Sequence, residues 1–166
     1  EEDGYTQGAD GKFEKGGTKL GFTILTTEGN QRRKLTLETI QKQLNDQGWT
    51  FEIKFVPAGD LFGDLGPTGQ FQAALYAQVL TTLDPSNCTL FCTENIPTAE
   101  NENTGNNWTR TRIAAADPLL SQVDTELDEA KRQEASKKAE KLLAADATSL
   151  PLDPLPNIFL FSDKLA

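Results

Sequence analysis

Met and His are both absent from the 166 residues, and Cys occurs only twice. Without His there is no Ser-His-Asp or Cys-His catalytic arrangement, no imidazole ligand for zinc and no imidazole general base. Two cysteines alone cannot close a zinc site. No apolar run approaches the roughly 20 residues that a membrane-spanning helix needs, and no charged segment leads into an apolar one as in an export signal. Because Met is missing and position 1 is Glu, the residues are expected to be processed or excised from something longer, with any export signal or lipid anchor upstream. Cations are outnumbered, 16 Lys and Arg against 25 Asp and Glu, for a net charge of -9. That balance lacks the basic footprint of a nucleic-acid binder. At 37% hydrophobic and 25% charged the chain is not a disordered polyanion, and its length suits one domain with a real core.

What is present reads as alternating strands and helices. Residues 1–17 are polar and Gly-rich, a connector with a two-strand ribbon around Gly11 to Lys19 that turns at Gly16-Gly17. Leu20 to Thr26 is a strand, with Phe22, Ile24 and Leu25 in a β-branched and aromatic run. Asn30 can cap a helix whose apolar positions Leu37, Ile40 and Leu44 recur at i, i+3 and i+7, and Gly48 ends it. Trp49 to Val56 then alternates, Phe51, Ile53 and Phe55 on one side and Thr50, Glu52 and Lys54 on the other. Strand, helix and strand in this order make a βαβ unit, so the class is α/β with a parallel sheet covered by helices. Phe71 to Leu80 reads as a central strand, Ala-rich helix being the competing reading.

From Thr81 to Ile113 the sequence is loop-like and long enough to suggest that it lines a site. Cys88 and Cys92 lie within it at C-x3-C spacing. A short-loop disulfide in an oxidising compartment and a pair of buried free thiols are equally compatible with that spacing, although in an ideal helix the Cβ atoms would sit too far apart to bridge. Asn-x-Thr triplets begin at Asn87 and Asn107 and matter only in a eukaryotic secretory setting. Asp117 is expected to cap a helix with Pro118 at its first position and Leu119, Leu120, Val123 and Leu127 on one face. Asp128 is expected to cap another through Ala135, Ala139, Leu142 and Leu143, with Glu134 and Lys138 paired at i, i+4. The tail carries strand-like Leu150 to Leu152 and a last apolar run, Ile158 to Phe161.

Taken in order, several stretches resemble the C-terminal lobe of an extracytoplasmic solute-binding protein of family 5, the peptide and oligopeptide receptors of ABC importers. They are EEDGYTQGADGKFEKGGTKLGFTILT at the start, QRRKLTLETIQKQLNDQGWTFEIKFV, LFGD at Leu61, FQAALYAQVLTTLDPS at Phe71, NNWTR at Asn106 and LDEAKRQEASKKAEKLLAADATSLPL from Leu127. The resemblance implies an open, mainly parallel sheet with helices on both faces, one lobe of a type II periplasmic-binding-protein-like fold. Residues 1–18 would be the connector and small ribbon and residues 19–166 the lobe. It implies capture of a peptide or another small solute between this lobe and an N-terminal lobe of the same protein, followed by delivery to ABC permease subunits. The location would be periplasmic or anchored at the cell surface, with membrane contact only through parts outside these residues. Neither a cofactor, a resident metal nor a catalytic role is implied.

In peptide-binding members of that family the segment after the FQAAL-like strand carries a Trp and, three residues on, an acid that pairs with the peptide's α-amino group. Those places fall on Gln78 and Thr81, neither of which can do the same job, and a buried ammonium without a carboxylate is costly. Neutral hydrogen bonding from Gln78, Thr81 and Thr82, beside Val79, suits an uncharged or differently charged solute. These residues follow a strand, and solutes bind at the carboxyl ends of open α/β sheets. Asn107 and Trp108 complete the expected binding set, with packing of the loop onto the sheet as the alternative for Trp108. Trp49 is expected in the core. Arg110 and Arg112 read as surface arginines in preference to carboxylate binders, and Asp60 and Asp64 lack the further oxygen ligands of a cation site. A carboxylate-dependent hydrolase and a purely structural or interaction domain are the rival classes. No nucleophile elbow, P-loop or dinucleotide fingerprint supports the first. The second predicts no open face shared by the long loop and the strand end before it.

Overall fold

A computed structural model of the chain describes residues 3–78 and 87–153. Three short strands, β1 (Thr6–Gln7), β2 (Phe13–Lys15) and β3 (Thr18–Lys19), form an antiparallel ribbon, one strand more than expected. Gly16 and Gly17 take φ of +58° and +80°, the left-handed pair that a tight two-residue hairpin demands. Next come β4 (Gly21–Thr27), α1 (Gln31–Asp46) and β5 (Thr50–Val56), the expected βαβ unit. The Asn30 side chain caps α1 by accepting from the Arg33 N–H at 2.9 Å. β4 and β5 pair in parallel from Gly21↔Thr50 to Thr27↔Val56. Their register sets Phe22 beside Phe51, ring centroids 5.0 Å apart, with Trp49 half-buried edge-on to Phe22.

The ribbon is fastened to the end of α1. The Lys12 ammonium donates to the carbonyls of Asn45 at 3.1 Å and Trp49 at 2.7 Å, and the Phe13 N–H donates to Gly48 at 2.9 Å. Lys12 thereby places a cation at the carbonyl end of α1, where the helix dipole favours one, and ties that end to the start of β5. A Cβ on Gly48 would meet the Gly11 carbonyl at 2.8 Å, which is why the chain can pass there only as glycine.

After β5 the backbone coils through α2 (Ala58–Asp60), a π-helical turn at Leu61–Leu65 and α3 (Gly66–Thr68) into β6 (Ala73–Leu75). β6 runs parallel to β4, and the order in the sheet is β5-β4-β6. Within the described sheet the apolar segment Phe71 to Leu80, expected as the central strand, is therefore not the middle one. It supplies three paired residues at the side of the described sheet, and β4 is central. Its apolar character is explained by packing, since Phe71 and Ala74 join Leu65 around buried Leu25, Val56 and Leu61.

The long loop is also more regular than its composition suggested. It contains α4 (Asn87–Phe91) and a 3-10 turn at Thr93–Asn95. It packs on α5 (Asp117–Thr125) and α6 (Glu129–Asp146) through a second core of Cys92, Ala116, Leu120 and Ala139. Asp128 caps α6 as expected, its carboxylate 3.1 Å from the Lys131 nitrogen. Asp117 does not cap α5. Ala116 holds that position in helical backbone, and the Asp117 carboxylate instead accepts from the Thr93 N–H at 3.1 Å. Leu127 lies past the end of α5 and is 94% exposed, so it leaves the expected apolar face. Leu150 to Leu152 form no strand, and Ile158 to Phe161 lie outside the described residues.

Candidate functional site

From β4 the chain moves to one side of the sheet to make β5, then crosses back over β4 to make β6 on the other side. Right-handed crossovers in opposite directions fall on opposite faces of a sheet, and between them a crevice opens at the carboxyl ends of the strands. Here that switch point lies between the ends of β4 and β6. Fully buried Thr26 spans it, its hydroxyl donating to the Leu75 carbonyl at 2.8 Å. Beside it, buried Thr27 accepts a hydrogen bond from the Arg33 guanidinium, which reaches down from the first turn of α1. The Nε of Arg33 is buried and finds no acceptor among the described residues.

On the β6 side the strand runs straight into Tyr76, Ala77 and exposed Gln78. The Tyr76 ring contacts Trp108, with centroids 5.3 Å apart, and Phe62 at 5.9 Å. Phe62 and Trp108 are 5.8 Å apart, closing a three-ring cluster. Burial pushes the Tyr76 phenol up from its ordinary value. Phe62 is 43% exposed and Trp108 only 9%, and the Trp108 Nε1 has no acceptor among the described residues.

Trp108 is held from behind. A Cβ on Gly66 would lie 2.7 Å from its Cε3 and Cζ3 atoms, so the indole uses the space that glycine leaves. Arg110, at φ +57°, folds its guanidinium back to donate to the carbonyls of Trp108 and Pro67, both at 2.9 Å. That fastening role accounts for Arg110, while Arg112 is exposed. Asp60 and Asp64 are exposed on the helical coil that carries Phe62, and among the described residues no three potential metal ligands converge.

Asn107 moves out of the expected binding set. It is fully buried, and its Nδ2 donates to the carbonyls of Phe91 at 3.1 Å, Cys92 at 3.0 Å and Thr111 at 3.0 Å. Its Oδ1 accepts from the Thr109 hydroxyl at 3.0 Å and the Thr111 N–H at 3.2 Å. No polar atom is left for a solute, so Asn107 is the bracket that shapes the loop. Cys88 and Cys92 are joined by a disulfide across α4. Val79, Thr81 and Thr82 lie outside the described residues, and Gln78 is exposed three residues beyond β6. Thr26, Arg33, Phe62 and Tyr76 were not singled out from sequence. Only the position of Arg33 just after a capping Asn, in a first turn without acidic residues, offered a signal.

The loop and the strand end do meet, through Trp108 and Tyr76. A separate open groove of about 680 Å³ lies on the sheet face, bordered by Thr23, Glu52, Lys54, Gln70, Phe71 and Gln72. Among the described residues no helix is long and apolar enough to cross a membrane.

No family model and no curated protein matches the sequence. Solved structures do. The oligopeptide-binding protein from Thermus thermophilus, complexed with a pentapeptide, is 25% identical with a TM-score of 0.77 over 91% of this chain and 27% of its own. The oligopeptide-binding protein AppA from Bacillus subtilis, bound to a nonapeptide, is 24% identical with a TM-score of 0.74, covering 89% of this chain and 28% of its own. NikZ from Campylobacter jejuni, in complex with Ni(L-His), shares 18% identity and a TM-score of 0.71 over 89% of this chain and 29% of its own. The chain thus spans less than a third of each of these proteins, and each of the three was solved with a bound ligand. With its parallel sheet of order β5-β4-β6 and its packed helix pair, the chain has the fold of one lobe of the family 5 solute-binding proteins.

Proposed function

We propose that the chain is a solute-capturing lobe of an ABC importer receptor, working outside the cytoplasm and without catalysis. The observation that carries this reading is the match of 91% of the chain to part of a peptide-bound oligopeptide receptor at 25% identity. The crevice at the ends of β4 and β6 is where such a lobe would meet its solute. Gln78, with Val79, Thr81 and Thr82 after it, supplies neutral hydrogen-bonding groups, and Trp108 with Tyr76 forms a wall. Residues 1–18 form the connecting ribbon and 19–166 the lobe. Closure of a second lobe over the solute would generate the state that a permease reads, because contacts with both lobes favour the closed form. The Cys88–Cys92 disulfide fits an oxidising compartment.

A peptide, or another small solute with neutral polar groups, is the expected cargo. Titration of the isotopically labelled chain with a mixture of short peptides, followed by backbone amide shifts, tests this. Weak, millimolar perturbations confined to Thr26–Glu28 and Tyr76–Gln78 are expected. Absence of any perturbation there at saturating peptide, or perturbations centred on the Glu52–Gln72 groove, would overturn the assignment.

A further inference from the structure

Three rings whose centroids lie 5.3 to 5.9 Å apart are in direct contact, so no space remains between them for a caged ammonium group. What the cluster offers is its one exposed member. Phe62 is the outer ring at 43% exposure, braced by Tyr76 edge-on at 89° and by Trp108, which is itself seated on Gly66. Arg110, the nearby cation, is tied to the Trp108 and Pro67 carbonyls and cannot pair with an anionic solute without releasing the loop. Asp60 and Asp64, exposed two positions either side of Phe62, oppose an anion further. A macromolecular partner is a poor fit, since a stable interface buries about 800 Å² per side, whereas Phe62 is the only exposed large apolar side chain of this cluster.

We propose that Phe62, backed by Tyr76 and Trp108, is a rigid stacking platform on which the solute lays an uncharged aromatic or other flat apolar group. This rests on reading the switch-point crevice as the solute site, and it assigns a chemical preference to that site. Because the rings are already packed, binding costs little ordering of the protein side chains, which favours a flat group over a flexible aliphatic one.

The test uses the chain carrying Trp49→Phe, which leaves Trp108 as the sole indole reporter. Its fluorescence is followed during titration with N-acetylphenylalaninamide and N-acetylalaninamide, two neutral probes that differ only in the ring. The aromatic probe should half-saturate at a concentration about tenfold lower. Phe62→Ala should abolish the difference while circular dichroism stays unchanged, and Phe62→Tyr should retain it. Backbone amide shifts at Ala77 and Gln78 are recorded for both probes. Equal affinities with shifts at these amides would overturn the platform and leave the crevice assignment standing. No shift with either probe would overturn both. Retention of the preference in Phe62→Ala would also overturn the platform.

Discussion

The Asp124 carboxylate accepts from the backbone N–H of Cys88 at 2.8 Å, and also from the backbone and side-chain nitrogens of Asn87 at 3.1 and 3.0 Å. A five-residue helix is far too short to be stable alone. α4 exists because a residue 37 positions away caps it, while Asn107 collects the Phe91 and Cys92 carbonyls at its other end. Asp124→Ala removes the side-chain cap at the N-terminal end of α4. It should cost about 1–2 kcal/mol of stability in denaturant unfolding. The local cap of α6 provides the comparison, because Asp128 makes a single exposed bond at 3.1 Å and its replacement by Ala should cost no more than about 1 kcal/mol.

Asn107→Ala should be more damaging. It strips partners from three carbonyls and from the Thr111 N–H, in a position with no access to water. Leaving several buried backbone groups unsatisfied should lower stability by about 3 kcal/mol, measured by urea titration. Asn106→Ala, one residue earlier and exposed, should change it by less than about 0.5 kcal/mol. Similar losses for both variants would refute the bracket role.

Asn107 also shows where sequence reading reached its end. Its neighbours Asn106 and Trp108 made it look like a binding residue, and nothing local distinguishes an amide that serves a solute from one that serves remote carbonyls. β4, α1 and β5 were legible because periodicity, an Asn cap and a terminating Gly are all local signals. α4 was not, because its caps come from Asp124 and Asn107. The apolar run at Phe71 reported that its residues are packed, yet strand order depends on where the chain crosses the sheet, which composition does not encode. Tyr76 and Phe62 were overlooked for a related reason. An aromatic in an apolar run reads as core until the fold leaves one ring at the crevice edge.

Gly66 is predicted to be intolerant of any side chain. An added methyl would stand 2.7 Å from two Trp108 ring carbons and 2.9 Å from the Leu61 carbonyl. The indole cannot retreat, since Phe62 and Tyr76 flank it and Arg110 holds its backbone. Gly66→Ala should therefore destabilise the chain by about 1–3 kcal/mol and shift Trp108 emission to longer wavelength in a Trp49→Phe background. Gly63→Ala, on the same helical coil with nothing within 4 Å of where its Cβ would stand, is the control and should leave the emission unchanged.

Tyr76 links this packing to pH. Its phenol is raised by burial alone, so the folded chain holds the proton to higher pH than the unfolded chain does. A group whose folded value lies above its unfolded one contributes its full stability below the unfolded value, about pH 10 for tyrosine. That contribution is lost as pH climbs from there through the folded value. Unfolding midpoints measured at increasing alkaline pH should accordingly fall more steeply for the parent chain than for Tyr76→Phe, in which lysine titration is the same and only the phenol is gone. Phenolate absorbance in the ultraviolet gives an independent reading, with the later-ionising component present in the parent and missing in the variant. Parallel curves for the two proteins above pH 10 would mean that the phenol is solvated and that the three rings do not close as described.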